Sequence, residues 1–137
     1  SLNLYIEDYG GNDEINLRTY GFARGCIPYI NINHEGQYEN DLYIKNSEAK
    51  ILIKNYFSDF GKIESITSYF AYEDSKYLLS INENAIDSIK TSVASWLVEN
   101  GYDDVYSAVT DELNGSSNMN ELSTYFQNIY EWQKIQS

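Results

Sequence analysis

The sequence is poor in the residues from which cross-linked and catalytic sites are usually built. Its 137 residues include one cysteine, Cys26, one histidine, His34, and one proline, Pro28. A single cysteine excludes an internal disulfide framework. A zinc site needs more cysteine and histidine than this chain contains, and a proline-rich linker is absent. The sequence therefore predicts a single domain, residues 1–137, without a metal or another cofactor.

Basic residues are also scarce. Nine Lys and Arg stand against 21 Asp and Glu, which gives a formal net charge of −12 at pH 7. A general nucleic-acid binder needs a basic surface that displaces counterions from phosphates, so the charge has the wrong sign for that function. Residues 1–44 carry seven acids and two bases, and residues 91–137 carry seven acids and one base. Both ends of the chain are therefore acidic, while the middle is nearly neutral.

Long hydrophobic runs are missing as well. No apolar segment approaches the roughly 20 residues that a membrane-spanning helix needs. The first four residues also lack the charged and apolar regions of a signal peptide. Hydrophobic residues make up 42% and charged residues 22% of the chain, close to globular averages, which excludes wholesale disorder. We therefore expect a cytoplasmic protein that does not interact with membranes.

The first 45 residues alternate between apolar and polar side chains, which is the period of half-buried strands. Strands at residues 2–7 and 15–20 flank a glycine-containing turn and predict a β-hairpin. Further strands are predicted at 27–33 and at Tyr38–Lys45, separated by a turn. The pattern favours an antiparallel meander.

The apolar period then changes. Residues 47–60 have apolar side chains at i, i+3, i+4, i+7, i+8 and i+11, which predicts a helix that Gly61 ends. Strands are predicted next at residues 63–71 and 76–81.

The last third of the chain has the period of helices, with three of them predicted. The first would be capped by Asn84 and end at Gly101, and its buried stripe would be Ile86, Ile89, Val93, Trp96 and Leu97. The other two are predicted over residues 103–113 and 118–130. The fold class is therefore predicted to be α+β. An antiparallel sheet of about six strands would pack against one central helix and two or three C-terminal helices.

Candidate catalytic groups do not come together in this pattern. Cys26 and His34 lie at opposite ends of a predicted strand, about 26 Å apart, so a thiol–imidazole pair cannot form. The simpler interpretation is a buried, small apolar cysteine and a histidine in an exposed turn. Arg18 and Arg24 flank a glycine-containing segment that matches no phosphate-binding motif. Together with His34 they leave a small enzyme or ligand-binding domain as a further hypothesis.

Acidic and aromatic residues are the most distinctive feature. Tyrosine occurs 14 times, and residues 99–106 contain three acids and two tyrosines. Acidic residues interleaved with aromatic ones engage a basic partner by electrostatic steering and aromatic anchoring. Trp132, predicted on the last helix outside its buried stripe, is expected to be exposed. The predicted partner-binding residues are Tyr102, Asp103, Asp104, Tyr106, Asp111 and Glu112.

This profile of a small, acidic, tyrosine-rich protein without a catalytic set resembles that of bacterial immunity proteins that neutralise nuclease toxins. It also resembles phage or mobile-element proteins that mimic DNA. The first resemblance implies a stoichiometric inhibitor of a basic toxin, not an enzyme, and without direct contact to nucleic acid. The second implies a row of carboxylates, spaced like phosphates, that blocks a restriction or CRISPR nuclease.

Overall fold

The computed structural model describes residues 2–7, 14–18, 26–45, 49–57, 65–70, 73–111 and 116–136. Within these ranges it contains eight strands, three α-helices and one short 3₁₀ turn at Glu83–Ala85. The strands are β1 (Leu2–Glu7), β2 (Glu14–Arg18), β3 (Ile27–Ile32), β4 (Tyr38–Lys45), β5 (Ala49–Lys54), β6 (Ser65–Phe70), β7 (Ser75–Ile81) and β8 (Tyr130–Gln136). The helices are α1 (Ile86–Asn100), α2 (Val105–Thr110) and α3 (Ser116–Phe126).

The strands form two four-stranded sheets. The first sheet has the order β1-β5-β4-β3, and the second has the order β2-β6-β7-β8. The pairs β1–β5 and β2–β6 are parallel, whereas the other neighbours are antiparallel. Both sheets are therefore mixed.

Strands β3, β4 and β5 of the first sheet contribute apolar side chains to two cores, one on each face. Leu42, Ile44, Ile51 and Ile53 on one face pack with Ile66 and Leu79 of the second sheet. On the other face, Ile30, Ile32 and Tyr43 pack with apolar side chains of the three helices. The molecule thus has three layers, with the first sheet between the helices and the second sheet.

Helix α1 follows from its sequence. All five residues of the predicted stripe are buried, which confirms that prediction. Gly101 ends the helix at φ 77°, a conformation that favours glycine, and its N–H donates to the carbonyls of Leu97 and Val98. At the other end Asn84 lies in the 3₁₀ turn, so its predicted role as the N-cap is wrong. No helix in the described ranges is both long and apolar enough to cross a membrane.

The predicted α+β class is confirmed. The strands expected at 27–33, Tyr38–Lys45, 63–71 and 76–81 correspond to β3, β4, β6 and β7. The single antiparallel sheet is wrong in detail, because the strands divide between two mixed sheets.

The predicted N-terminal hairpin is wrong. β1 pairs in parallel with β5, with Leu2 opposite Ala49, and β2 pairs in parallel with β6, with Glu14 opposite Ser65. The two strands thus lie in different sheets. Alternation along a strand specifies which face is buried, but it does not specify the partner strand.

The helix predicted over residues 47–60 is also wrong, because strand β5 occupies Ala49–Lys54. Ile51 and Ile53 face the second sheet, and Leu52 packs on the helical side. A strand that is apolar on both faces gives a continuous hydrophobic run, which helical periodicity matches by coincidence. Asn55 follows the strand at φ 58° and directs the chain into a turn. Residues 46–48 and 58–64 lie outside the described part.

The last predicted helix divides into two elements. Helix α3 ends at Phe126, and Tyr130 begins β8, which pairs antiparallel with β7. Trp132 therefore does not lie exposed on a helix. It is half-buried opposite Leu79, and its Nε1–H donates to the carbonyl of Cys26 at 3.1 Å. Pairing with a strand more than 40 residues earlier outweighs the local helical pattern.

Cys26 is 1% exposed, and burial raises the pKa of its thiol well above the ordinary value. Because the thiolate is the reactive form, we expect native Cys26 to react with Ellman's reagent about a thousandfold or more slowly than in denatured protein. The absorbance of the thiol that the reagent releases, recorded in native buffer and in urea, gives the reaction rates of the native and the denatured protein. Stoichiometric labelling within the mixing time in native buffer would contradict this burial.

Candidate protein-binding surface

The corner between α1 and α2 is held by polar side chains. Asp104 is the N-cap of α2, since its Oδ1 accepts the N–H of Ser107 at 2.8 Å. Asn31 on β3 accepts the N–H of Tyr106 at 3.0 Å through Oδ1 and donates to Asp104 Oδ2 at 3.5 Å. These bonds attach the start of α2 to the edge of the first sheet.

The turn between β3 and β4 is attached to the same corner. The backbone N–H of His34 donates to the carbonyl of Asp103 at 2.9 Å, and His34 Nδ1 lies 3.1 Å from that oxygen. A carbonyl only accepts, so Nδ1 carries a proton in this contact. Asn33 Oδ1 accepts the N–H groups of Glu35 and Gln37 at 2.9 and 3.1 Å, which closes the turn. The turn and the α1–α2 corner thus form one connected surface.

An open groove of about 390 Å³ lies between this turn and the outer face of α1. From the turn it is lined by His34, Glu35 and Gly36, and from the helix by Thr91, Ala94, Ser95, Val98 and Glu99. The helical residues share one face, at i, i+3, i+4, i+7 and i+8. Val98 is 64% exposed, so an apolar side chain stands open in the groove.

Acidic side chains from several elements surround this groove. Glu35 and Glu99 line it, and the exposed Asp103 adjoins it through its backbone carbonyl, which is bonded to His34. Glu121 on α3 extends the acidic region. Burial, and then the negative charges of Glu121 and Glu99, raise the pKa of Tyr125, which places both carboxylates near one phenol. The acids that are distant in sequence therefore come together on one side of the helical layer.

The part of α1 that precedes its groove-lining residues has a different character. Lys90 Nζ lies 2.5 Å from Asp87 Oδ1 and 5.0 Å from the centroid of the Tyr38 ring. The ammonium group of Lys90 is thus paired with the carboxylate of Asp87 and with the face of the Tyr38 ring. The carboxylates that line the groove itself are those of Glu35 and Glu99, and Glu35 Oε1 lies 3.8 Å from His34 Nε2.

The predicted tyrosines support the corner from inside. Tyr102 donates its hydroxyl to Asp111 Oδ2 at 2.7 Å, and this bond is the main reason that its pKa is raised. Its ring stacks on Trp96, with centroids 6.0 Å apart and planes 5° apart. Tyr106 lies against Tyr43 at 5.1 Å, and burial raises the pKa of its enclosed hydroxyl.

The six predicted partner-binding residues thus have different environments. Asp103 is exposed and available to a partner, whereas Tyr102, Asp104, Tyr106 and Asp111 are half-buried. Glu112 lies outside the described residues. Sequence reasoning missed Glu35, because a turn between two strands gives no sign that it will face a helix. Val98 was detectable as an apolar residue on the polar face of α1.

The alternative site around His34 gains no geometric support. His34 belongs to the first sheet's β3–β4 turn, whereas the backbone of Arg18 lies in β2 of the second sheet. Arg24 is outside the described residues. In the described ranges, no three His, Cys, Asp or Glu side chains are grouped to hold a metal ion.

The neighbouring Asp103 and Asp104 are expected to differ in their effect on stability. Asp104→Ala should lower the free energy of unfolding by about 1–2 kcal/mol, because the Ser107 N–H loses its cap. Asp104→Ser should retain most of that energy. Asp103→Ala, which keeps the carbonyl bonded to His34, should remain within about 0.5 kcal/mol of the parent. Urea denaturation followed by circular dichroism measures all three, and equal losses at both positions would contradict the assigned cap.

Comparison with known proteins provides no relative from which a function could be transferred: no protein-family model, curated protein or solved structure matches this chain.

Proposed function

We propose that this protein is an immunity protein, a stoichiometric inhibitor that binds and neutralises a basic, nuclease-type toxin in the cytoplasm. The observation that carries the proposal is the acidic surface beside the groove. Glu35 from a turn and Glu99 from a helix line one open concavity, and the backbone carbonyl of the exposed Asp103 is bonded to His34 of the same turn. A concave acidic surface is complementary to a protruding basic one.

The charge of the whole chain supports this mode of action. At a net charge of −12, the protein attracts a cationic partner over distances of about a Debye length, which raises the association rate at low salt. The half-buried Tyr102 and Tyr125 add aromatic area beside the acids. On this proposal the protein binds its partner and performs no catalysis.

The test uses the purified protein as bait for the proteins of its native host, at low and at high salt. We expect one basic protein to be retained at low salt and lost or weakened at high salt. Purified separately, that protein should form a one-to-one complex and lose its nuclease activity on addition of one equivalent. A partner that is not basic, or an uninhibited nuclease, would contradict the proposal.

The same experiment separates the toxin inhibitor from a DNA mimic. Duplex DNA is added to the purified complex at low salt. Displacement of the protein by DNA from a restriction or CRISPR nuclease would indicate the DNA mimic. For the immunity protein, we expect the partner to be a toxin encoded near the gene for this chain.

A further inference from the structure

The groove between the β3–β4 turn and α1 combines an apolar surface with acidic side chains. Val98 presents its side chain at 64% exposure, and Ala94 and Ser95, one turn before it, are small enough to let another chain approach closely. Glu35 from the turn and Glu99 from the helix line the same groove. A single ligand can therefore contact both an apolar and an anionic part.

The walls of the groove are fixed before any ligand arrives. The turn is closed by Asn33 and attached to the Asp103 carbonyl by His34, and α1 is held in the core by its buried stripe. A ligand that enters this groove does not have to order its walls, which reduces the entropic cost of binding.

The negative charge of the chain and of the groove favours a cationic ligand. A second copy of this chain would bring another −12 charge against the acidic rim, and like charges in contact oppose association. A cationic chain has the complementary sign. Its positive groups would pair with Glu35 and Glu99, the two carboxylates that line the groove, where Glu35 also lies 3.8 Å from the His34 imidazole.

We propose that this groove binds a basic polypeptide segment of the partner. An apolar side chain of the segment packs on Val98, and a neighbouring lysine or arginine pairs with Glu35 and Glu99. This inference rests on the proposed function and names the part of the surface that the partner contacts.

The test is an NMR titration of the ¹⁵N-labelled protein with a defined probe, an eight-residue amidated peptide of alternating arginine and leucine. A second peptide, with glutamate in place of arginine, is the charge control. We expect the arginine peptide to shift the amide signals of Gly36, Thr91, Ser95 and Val98. The glutamate peptide should leave them in place.

Two variants test the assigned contacts. Glu35→Gln with Glu99→Gln should weaken peptide binding by about tenfold, as expected for two partly exposed ion pairs. Ser95→Arg should abolish the shifts, because the introduced guanidinium fills the groove and pairs with Glu99 one turn away. The matched control is Glu83→Gln with Glu131→Gln, both exposed residues outside the groove, which should bind as the parent does.

Failure of this inference is distinguishable from failure of the proposed function. The groove assignment would be overturned by any of four results. These are shifts confined to the second sheet, equal shifts with the glutamate peptide, no shifts at millimolar peptide, and unchanged affinity in the Gln variants. Groove signals that move with protein concentration alone would show a second copy as the occupant and also overturn it. Capture of the basic partner does not depend on these results, so the proposed function stands or fails separately.

Discussion

Replacing Trp96 with alanine is expected to destabilise the protein by about 3–5 kcal/mol, a large fraction of the roughly 5–15 kcal/mol that stabilises an ordinary domain. Trp96 is 2% exposed and is among the largest fully buried side chains of the described residues. It packs in the core between the helices and the first sheet, and its outer ring face stacks on Tyr102. Its removal leaves a cavity that these rigid neighbours cannot fill.

The loss of stability in Trp96→Ala should come from lost packing contacts alone. The buried indole Nε1 of Trp96 has no hydrogen-bond partner, so no hydrogen bond is broken. Trp96→Phe should accordingly lose less than Trp96→Ala, because the phenyl ring keeps part of the contact area. Val98→Ala, on the exposed face of the same helix, is the matched control and should stay within about 0.5 kcal/mol of the parent.

Urea unfolding measures these differences, with the fluorescence of Trp132 as a reporter that remains in every variant. Since Tyr102 rests on Trp96, the signals of the α1–α2 corner should also change in Trp96→Ala. A Trp96→Ala protein as stable as Val98→Ala would show that the helical layer is not packed as described.

The second large effect concerns the binding of the protein to its basic partner. Reversing three charges, Glu35→Lys, Glu99→Lys and Asp103→Lys, should weaken binding to the basic partner by at least about a hundredfold at low salt. Most of the loss should appear in the association rate, because steering depends on the long-range field. Near molar salt the difference from the parent should shrink, since the field is screened within about 3 Å.

Asp104 and Asp111 are unsuitable for this test. Asp104 caps α2, and Asp111 accepts the hydroxyl of Tyr102, so their reversal would confound binding with folding. The triple control is Glu39→Lys, Glu83→Lys and Glu131→Lys, three exposed residues that do not line the groove, and it changes the net charge by the same amount. Stopped-flow or biolayer measurements at two salt concentrations compare the sets. Equal losses of affinity in the two triple variants would indicate that binding depends on the net charge and not on this surface.

The elements that the sequence predicts well are those whose pattern is set locally. The stripe of α1 needs only the period of 3.6 residues, and Gly101 marks a helix end by its conformational freedom. The sequence pattern misassigns β5 because the apolar residues of this strand, taken with those that follow it, also fit the period of a helix. β8 was misassigned because its partner β7 lies far away in the sequence.

The same distinction applies to the site. Asp103 and Asp104 are adjacent in sequence, and composition gives them equal weight. The structure separates them, because only Asp104 points back to cap α2. Its position just before the apolar Val105 is itself an N-cap signal, so that part was predictable. The approach of Glu35 to Glu99 depends on how the β3–β4 turn meets α1, and no local pattern contains that information.

The parallel pairs constrain the order in which the molecule assembles. β1 has no partner until β5 has left the ribosome, and β2 must wait for β6. The second sheet closes only when β8, the last of the described strands, reaches β7. Such distant pairings slow folding relative to a helical bundle of similar size. Meanwhile the nascent chain exposes unpaired apolar strands, and its strong negative charge, by mutual repulsion, keeps such chains apart during that interval.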